Sequence, residues 1–268
     1  MLKKTMPIVI DLPKGEVNKT FSIFPLADIH IGSRQFSEKK WQRYKELVGD
    51  NYMIILGDCI DNGIKSAPGA SMYEQAMSVG AQKEWLYEEL KDFAENGQIL
   101  AGTSGNHESR SKRETDTDVL YDVFCRWRIE DRYRSSMAFC FLRVGGADQK
   151  SCGKYRPTYC VHIWHGSGGG QTIGAGLNRV ERLSNTFEGV DLEITGHTHR
   201  PAYFPSGRLV CDFRNKKIIP RTVHSVTVPS FLDYGGYAAE KGLPPTGFAI
   251  PEIILSTYEK GIDVHWHR

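Results

Sequence analysis

A chain of 268 residues, 40% hydrophobic and 25% charged, has the composition of an ordinary globular protein with one large α/β domain or two small ones. Its formal net charge of +2 excludes a general polyanion binder, so any nucleic-acid contact has to come from a local patch. Six cysteines (59, 125, 140, 152, 160 and 211) form no C-x-x-C pair, the only apolar run at the N-terminus is Met6 to Ile10, and nothing approaches the ~20 apolar residues of a membrane span; a soluble cytoplasmic protein without membrane contact is expected.

In chain order, FSIFPLA (21–27) reads as a first buried strand. Ser37 can cap a helix running to about residue 48. YMIILG (52–57) is a second strand, followed by a helix over roughly 72–95 with Trp85, Leu86, Leu90 and Phe93 at helical spacing. GQILAG (97–102) gives a third strand and DTDVLYDVFCRWRIEDRY (116–133) a third helix. TYCVHIWH (158–165) and DLEIT (191–195) are strands around a helix at 177–188. After residue 200 the chain becomes β-rich, with turn residues between short apolar runs. That order predicts a layered α/β fold with a mixed sheet. With no internal repeat and no linker, one domain spanning 1–268 is the simplest organisation.

Polar residues gather where the apolar runs end. LADIHIG places Asp28 and His30 two apart, and LGDCIDNG places Asp58 after a glycine. SGNHESR gives Asn106 and His107, WHG gives His165, and GHTH gives His197 and His199. In extended chain a spacing of two puts both side chains on one side, and open α/β sheets collect their sites at the carboxyl ends of strands. Seven donors (Asp28, His30, Asp58, Asn106, His165, His197, His199) are therefore expected around one crevice. No thiolate is among them, which suits Mn, Fe or Zn better than a Cys-rich structural zinc site. Two ions ~3.5–4 Å apart that share one carboxylate would use all seven.

The ordered set D-x-H, G-D, G-N-H-E, a lone H and G-H-x-H resembles the calcineurin-like metallophosphoesterases, and it extends from Asp28 to His199, about two thirds of the chain. The resemblance implies a four-layer α/β/β/α sandwich with two mixed sheets, the metallo-dependent phosphatase fold. It implies one ion, manganese first, on Asp28, His30, Asp58 and His199. The second would lie on Asp58, Asn106, His165 and His197, with Asp58 bridging. It implies hydrolysis of a phosphate ester by a metal-bound hydroxide, with His107 over the leaving group as acid and Asp61 orienting it. Asn106 and Arg110 are the candidate substrate contacts, although Arg110, Lys112 and Arg113 read equally as a solvated loop balanced by Glu114, Asp116 and Asp118.

Phosphoprotein phosphatases of this family carry arginines where Asn62 and Ser104 stand here, which counts against that branch. DNA-repair nucleases of the family add a capping domain, whereas 69 residues follow His199. A phosphodiesterase or nuclease-like enzyme acting on a nucleotide or nucleic acid is the favoured expectation. The alternatives are a nucleotide phosphomonoesterase and a non-catalytic, metal-stabilised binding module.

Other signals have two readings. The glycine-rich HGSGGGQTIGAGLNRVERL (165–183) offers either a phosphate cradle at a helix N-terminus or a pliable loop clearing the metal site. Strand alternation turns His162 away from His165, towards packing or the surface. His224 reads as structural, the terminal HWHR as an exposed strand face, and Cys59 as a buried thiol. PSFLDYGGYA (229–238) either borders the substrate pocket or packs in the core.

Overall fold

A computed structural model describes residues 6–12, 20–65, 74–145, 156–168, 172–257 and 259–268. Two mixed sheets of six strands each form its centre. In one, β2 (Thr20–Leu26), β3 (Tyr52–Ile55), β4 (Ile99–Thr103) and β5 (Tyr133–Arg134) run parallel, extended by antiparallel β11 (Ile250–Ser256) and β12 (Ile262–His267). The other has the order β1 (Ile8–Asp11), β6 (Met137–Arg143), β7 (Thr158–Trp164), β8 (Leu192–Thr195), β10 (Lys217–Thr227) and β9 (Ala202–Asp212).

The first sheet is apolar on both faces because it is covered on both. Ile23, Ile54 and Leu100 of the first sheet meet Leu142, Val161 and Ile194 of the second in a core between them. On the outer side of the first sheet, α1 (Glu38–Val48), α2 (Val79–Glu95) and α4 (Val119–Arg126) add Trp41, Leu86 and Phe124 to a second core. Helix α5 (Ile173–Ser184) lies against β10 on the far side. Every fully buried Leu, Ile or Phe contributes about 1.5–3 kcal/mol of transfer free energy, so both layers of burial are needed to order so many strands. Among the described residues, no helix is long and apolar enough to cross a membrane.

The five expected strands lie within a few residues of their predicted bounds. Helix α2 starts at residue 79, not 72, because the Ser78 side chain caps it at Ala81 N; residues 72 and 73 lie outside the described chain. The expected helix over 116–133 is cut to α4: Asp118 caps its start, and Arg128 at φ 60° turns the chain away after its end. Residues 108–115, read as a loop, form a helix, α3 (Glu108–Thr115). The β-rich tail does not make the second sheet by itself. β9 and β10 join the sheet of β6–β8, whereas β11 and β12 complete the sheet of β2–β5.

Candidate metal centre

All five motif blocks lie just beyond strand ends on one side of the molecule. Asp28 and His30 follow β2, Asp58 follows β3, Asn106 and His107 follow β4, His165 follows β7, and His197 and His199 follow β8. They converge, but not by the extended geometry that the spacing of two suggested. Asp28, His30, Asp58, His197 and His199 all have φ between 49° and 69°. Left-handed backbone at non-glycine residues costs of order 1–3 kcal/mol each and persists where surrounding structure enforces it, typically at functional sites. The Asp28 carbonyl shows that enforcement, accepting from Ser230 Oγ at 3.1 Å and Phe231 N at 3.0 Å. This is the job of the PSF segment, with Phe231 itself buried in the helix-side core.

Two donor clusters result. In the first, His199 Nε2 lies 3.3 Å from Asp28 Oδ1 and 3.2 Å from His30 Nε2. In the second, His165 Nε2 lies 3.1 Å from Asp58 Oδ2, 3.0 Å from Asn106 Oδ1 and 3.3 Å from His197 Nδ1. Asp58 Oδ2 is also 4.0 Å from His30 Nε2, so its carboxylate stands between the clusters. Ligand bonds of ~2.0–2.2 Å put neighbouring donors of one cation roughly 3.0–3.5 Å apart, so the donor set fits divalent ions. Asp28 Oδ1 is buried without a hydrogen-bond partner, which a cation would remedy. Imidazole tautomers agree: His165 Nδ1 donates to Leu56 O at 2.8 Å and His197 Nε2 to Gly168 O at 3.0 Å, which leaves their other nitrogens as acceptors facing the cleft. In the glycine-rich loop, the Gly168 contact thus orients a donor through a carbonyl; 169–171 lie outside the described residues.

In the metal-free chain, burial works against charge on His30 and His165, but the surrounding carboxylates overcome it. The neighbouring carboxylates of Asp28, Asp61 and Asp58 raise His30 to about 10. Asp58 and Asp28 raise His165 to about 9. Both are protonated at neutral pH and must lose that proton to ligate. Metal uptake at pH 7 is therefore expected to release roughly two protons from these rings, with apparent affinity rising with pH until about 9–10. The sign for metal-free stability is opposite: raised histidines contribute fully below pH ~6.5 and lose that contribution as pH rises through 9–10. Titration calorimetry in buffers of different ionisation enthalpy reads the protons directly; heats independent of buffer would contradict this.

His107 stands at the Asp58 carboxylate, with Arg110 against its ring. His107 Nε2 is 3.8 Å from Asp58 Oδ2 and 3.0 Å from Arg110 Nη2. His107 Nδ1 donates at 2.6 Å to the main-chain oxygen of Asp61, so that contact runs through the backbone. The Asp61 carboxylate accepts from Gln75 Nε2 at 2.7 Å and lies 3.4 Å from both His30 Nδ1 and His107 Nδ1. Burial, the His30 charge and Arg110 lower the His107 pKa to about 4. Arg110 is buried on α3 rather than solvated in a loop, and it also donates to Asp61 O at 2.9 Å. Asn106 is exposed at the mouth. Asn62 faces inward and latches α3, donating to His107 O and accepting from Ser111 Oγ.

Sequence reasoning gave no role to Glu108, the last residue of G-N-H-E. Its buried carboxylate accepts four backbone N–H groups: Asp58 at 2.9 Å, Cys59 at 2.7 Å, Ile60 at 3.3 Å and Gly105 at 2.9 Å. It ties the loop that carries Asp58 to the loop that carries Asn106. These loops touch so closely that a Cβ on Gly57 would lie 2.1 Å from Gly105 N. An acceptor-only residue with a chain long enough to reach three consecutive amides was the available signal. Glu108→Gln puts an NH₂ against N–H donors; we expect a loss of about 2–4 kcal/mol in stability and roughly 10–100-fold in metal affinity. Thermal melting of the metal-free chain and metal titration check this; unchanged values in both would rule out a clamp.

The remaining signals fall on the plainer side. His162 is buried between Phe139 and Phe187, His224 bonds Tyr203 Oη at 2.9 Å, and Cys59 is buried. In the HWHR segment His265 is exposed, whereas His267 is tied to Glu252 at 2.7 Å. The five described cysteines are unpaired; Cys152 lies outside the described residues.

Two mixed sheets bring carboxylate, imidazole and amide donors together at their strand ends, a donor set for divalent cations. The sequence profile of the calcineurin-like phosphoesterases matches residues 21–201, and the chain belongs to that family. The DNA polymerase II small subunit of Archaeoglobus fulgidus is 29% identical over 114 residues, covering 37% of this chain and 23% of the archaeal protein. Among solved structures, Vps29 of Chaetomium thermophilum aligns with a TM-score of 0.41 at 11% identity, covering 92% of this chain and 95% of that one. The calcineurin-like phosphoesterase YfkN of Bacillus subtilis aligns with a TM-score of 0.42 at 14% identity, covering 93% and 91%.

Proposed function

We propose that residues 1–268 act as one domain, a two-metal phosphodiesterase whose substrate is a nucleotide or nucleic acid. The carrying observation is that two donor clusters meet at Asp58 while His107 approaches the same carboxylate and Arg110 reaches His107 Nε2. Asp28, His30, Asp58 and His199 would hold one ion. Asp58, Asn106, His165 and His197 would hold the other, with manganese the first choice for this hard-to-borderline donor set. Such ions, when bound, polarise phosphoryl oxygens and activate water for in-line attack.

The chain's own residues account for the rest. Leu56 O and Gly168 O fix the two imidazoles, so that neither has to reorient as substrate arrives. With Nδ1–H held by Asp61 O, His107 would take a proton from solvent on Nε2 and give it to the departing oxygen. That role requires Nε2 to part from Arg110, whose guanidinium is then free to take a non-bridging phosphate oxygen beside Asn106. The diester preference is supported by Asn62, which serves as a latch where a protein phosphatase has a substrate-gripping arginine. The match to a DNA polymerase subunit favours a nucleic-acid substrate. Unpaired cysteines fit a cytoplasmic setting.

The test is hydrolysis of bis-p-nitrophenyl phosphate against p-nitrophenyl phosphate with added Mn, followed by a panel of nucleotides, cyclic nucleotides and DNA. Preference for the diester supports this reading. Hydrolysis of the monoester alone would replace it with a nucleotide phosphomonoesterase.

A further inference from the structure

The second sheet ends in an arm. β8 pairs with β10 only over 224–227, beyond which β9 and β10 continue as a two-stranded ribbon to a turn at 213–216. At its base Arg208 donates to Phe187 O and Arg221 to Asp191, which moors the ribbon to the loop before β8. Past that mooring, no other described strand lies beside it. Phe213 is 91% exposed, Leu209 76% and Ile218 67%. Register sets Leu209 opposite Pro220 and Cys211 opposite Ile218 on one face, with Val210 opposite Ile219 on the other. An isolated ribbon is marginal alone, and apolar side chains displayed on both of its faces indicate something that grips it.

Charge specifies what that is. Arg214, Lys216 and Lys217 cluster at the tip, and among the described residues none of them makes an ion pair. Three cations within four residues exceed the net +2 of the whole chain. Asp212, the acidic residue beside them, is occupied by the turn, accepting from Arg214 N, Asn215 N and Asn215 Nδ2. Cations ringed around an exposed aromatic side chain match a polyanion with flat rings, that is, nucleic acid. The major groove of B-form DNA admits a two-stranded ribbon and apolar wedges insert between base steps, whereas the deep, narrow groove of A-form RNA excludes the arm.

Position agrees. β10 runs parallel to β8, with Thr227 opposite Thr195 just before the metal-side histidines. From Thr227 back to Lys217 is ten residues of strand, about 33 Å, close to one turn of duplex, ~34–36 Å. We propose that the β9–β10 arm is a DNA-binding ribbon that holds a duplex about one helical turn from the phosphate at the metal centre, through Arg214, Lys216, Lys217 and Phe213. This rests on the reading of the site as a nucleic-acid phosphodiesterase, and it names the substrate as double-stranded DNA.

The experiment is fluorescence anisotropy of the metal-loaded protein with a cleavage-resistant phosphorothioate duplex of about two turns, over a range of salt. The triple variant Arg214→Ala, Lys216→Ala, Lys217→Ala should bind at least ~10-fold more weakly near 0.1 M salt, and the slope of log affinity against log salt should fall by roughly 2.7. Phe213→Ala should weaken binding without changing that slope. Both variants should hydrolyse bis-p-nitrophenyl phosphate at the wild-type rate. Phe213 and the three cations lie outside the core, so folding is not at stake. Equal affinity and slope in the triple variant would overturn the proposal. So would dependence on the arm of self-association, or of binding to anionic lipid vesicles, in place of DNA binding. Failure of the small diester to react in the wild type would instead reject the reading of the site.

Discussion

Asp58→Asn is expected to weaken both metal sites together and to lower turnover by roughly 10³-fold or more, beyond the loss from a single transition-state donor. Asp58 Oδ1 accepts the His107 backbone N–H at 2.8 Å, which fixes the orientation of any side chain of this shape. An asparagine would keep its oxygen there and direct its NH₂ at the donors of both clusters, where Oδ2 now lies 3.1 Å from His165 and 4.0 Å from His30. A hydrogen-bond donor pointing at a cation is repulsive, and among the described residues no other carboxylate spans the two clusters. Metal analysis after desalting decides the matter. Complete retention of one ion at wild-type affinity would show that Asp58 serves only the other.

The second large effect concerns His107. His107→Gln should keep the metal content, because the ring faces Asp58 from 3.8 Å and its Nδ1 is spent on Asp61 O. Turnover of a DNA phosphodiester should fall by ~10²–10⁴, the usual worth of a general acid. A p-nitrophenyl ester, whose leaving group departs as a stable anion, should lose much less. Equal losses on both substrates would assign His107 to charge stabilisation rather than proton donation. The neutral state imposed on His107 in the metal-free chain, with a pKa of about 4, derives partly from the His30 proton.

Much of this was readable from residues alone, for a physical reason. Strands buried on both sides leave continuous apolar runs, so 21–27, 52–57 and 191–195 identified themselves, and the polar residues just past their ends were conspicuous. The seven candidate donors stand out this way. How they converge was not readable. A spacing of two predicts a shared face of an extended segment, but five of the ligand candidates adopt left-handed backbone that long-range bonds such as those to Ser230 and Phe231 make tolerable. α3 was missed because its sequence, ESRSKRET, has no apolar stripe. It is ordered by polar contacts instead, through Glu108, Arg110 and Ser111, and local periodicity is blind to such contacts. The arm was visible only as β-rich sequence; its projection beyond β8 is a matter of register.

The central claim is that one carboxylate is shared by two cation sites. Anomalous diffraction from crystals equilibrated with Mn tests it most directly. The prediction is two scatterers ~3.5–4 Å apart with Asp58 between them, His199 on one side and His165 on the other. A single scatterer, or two that do not share Asp58, would contradict it.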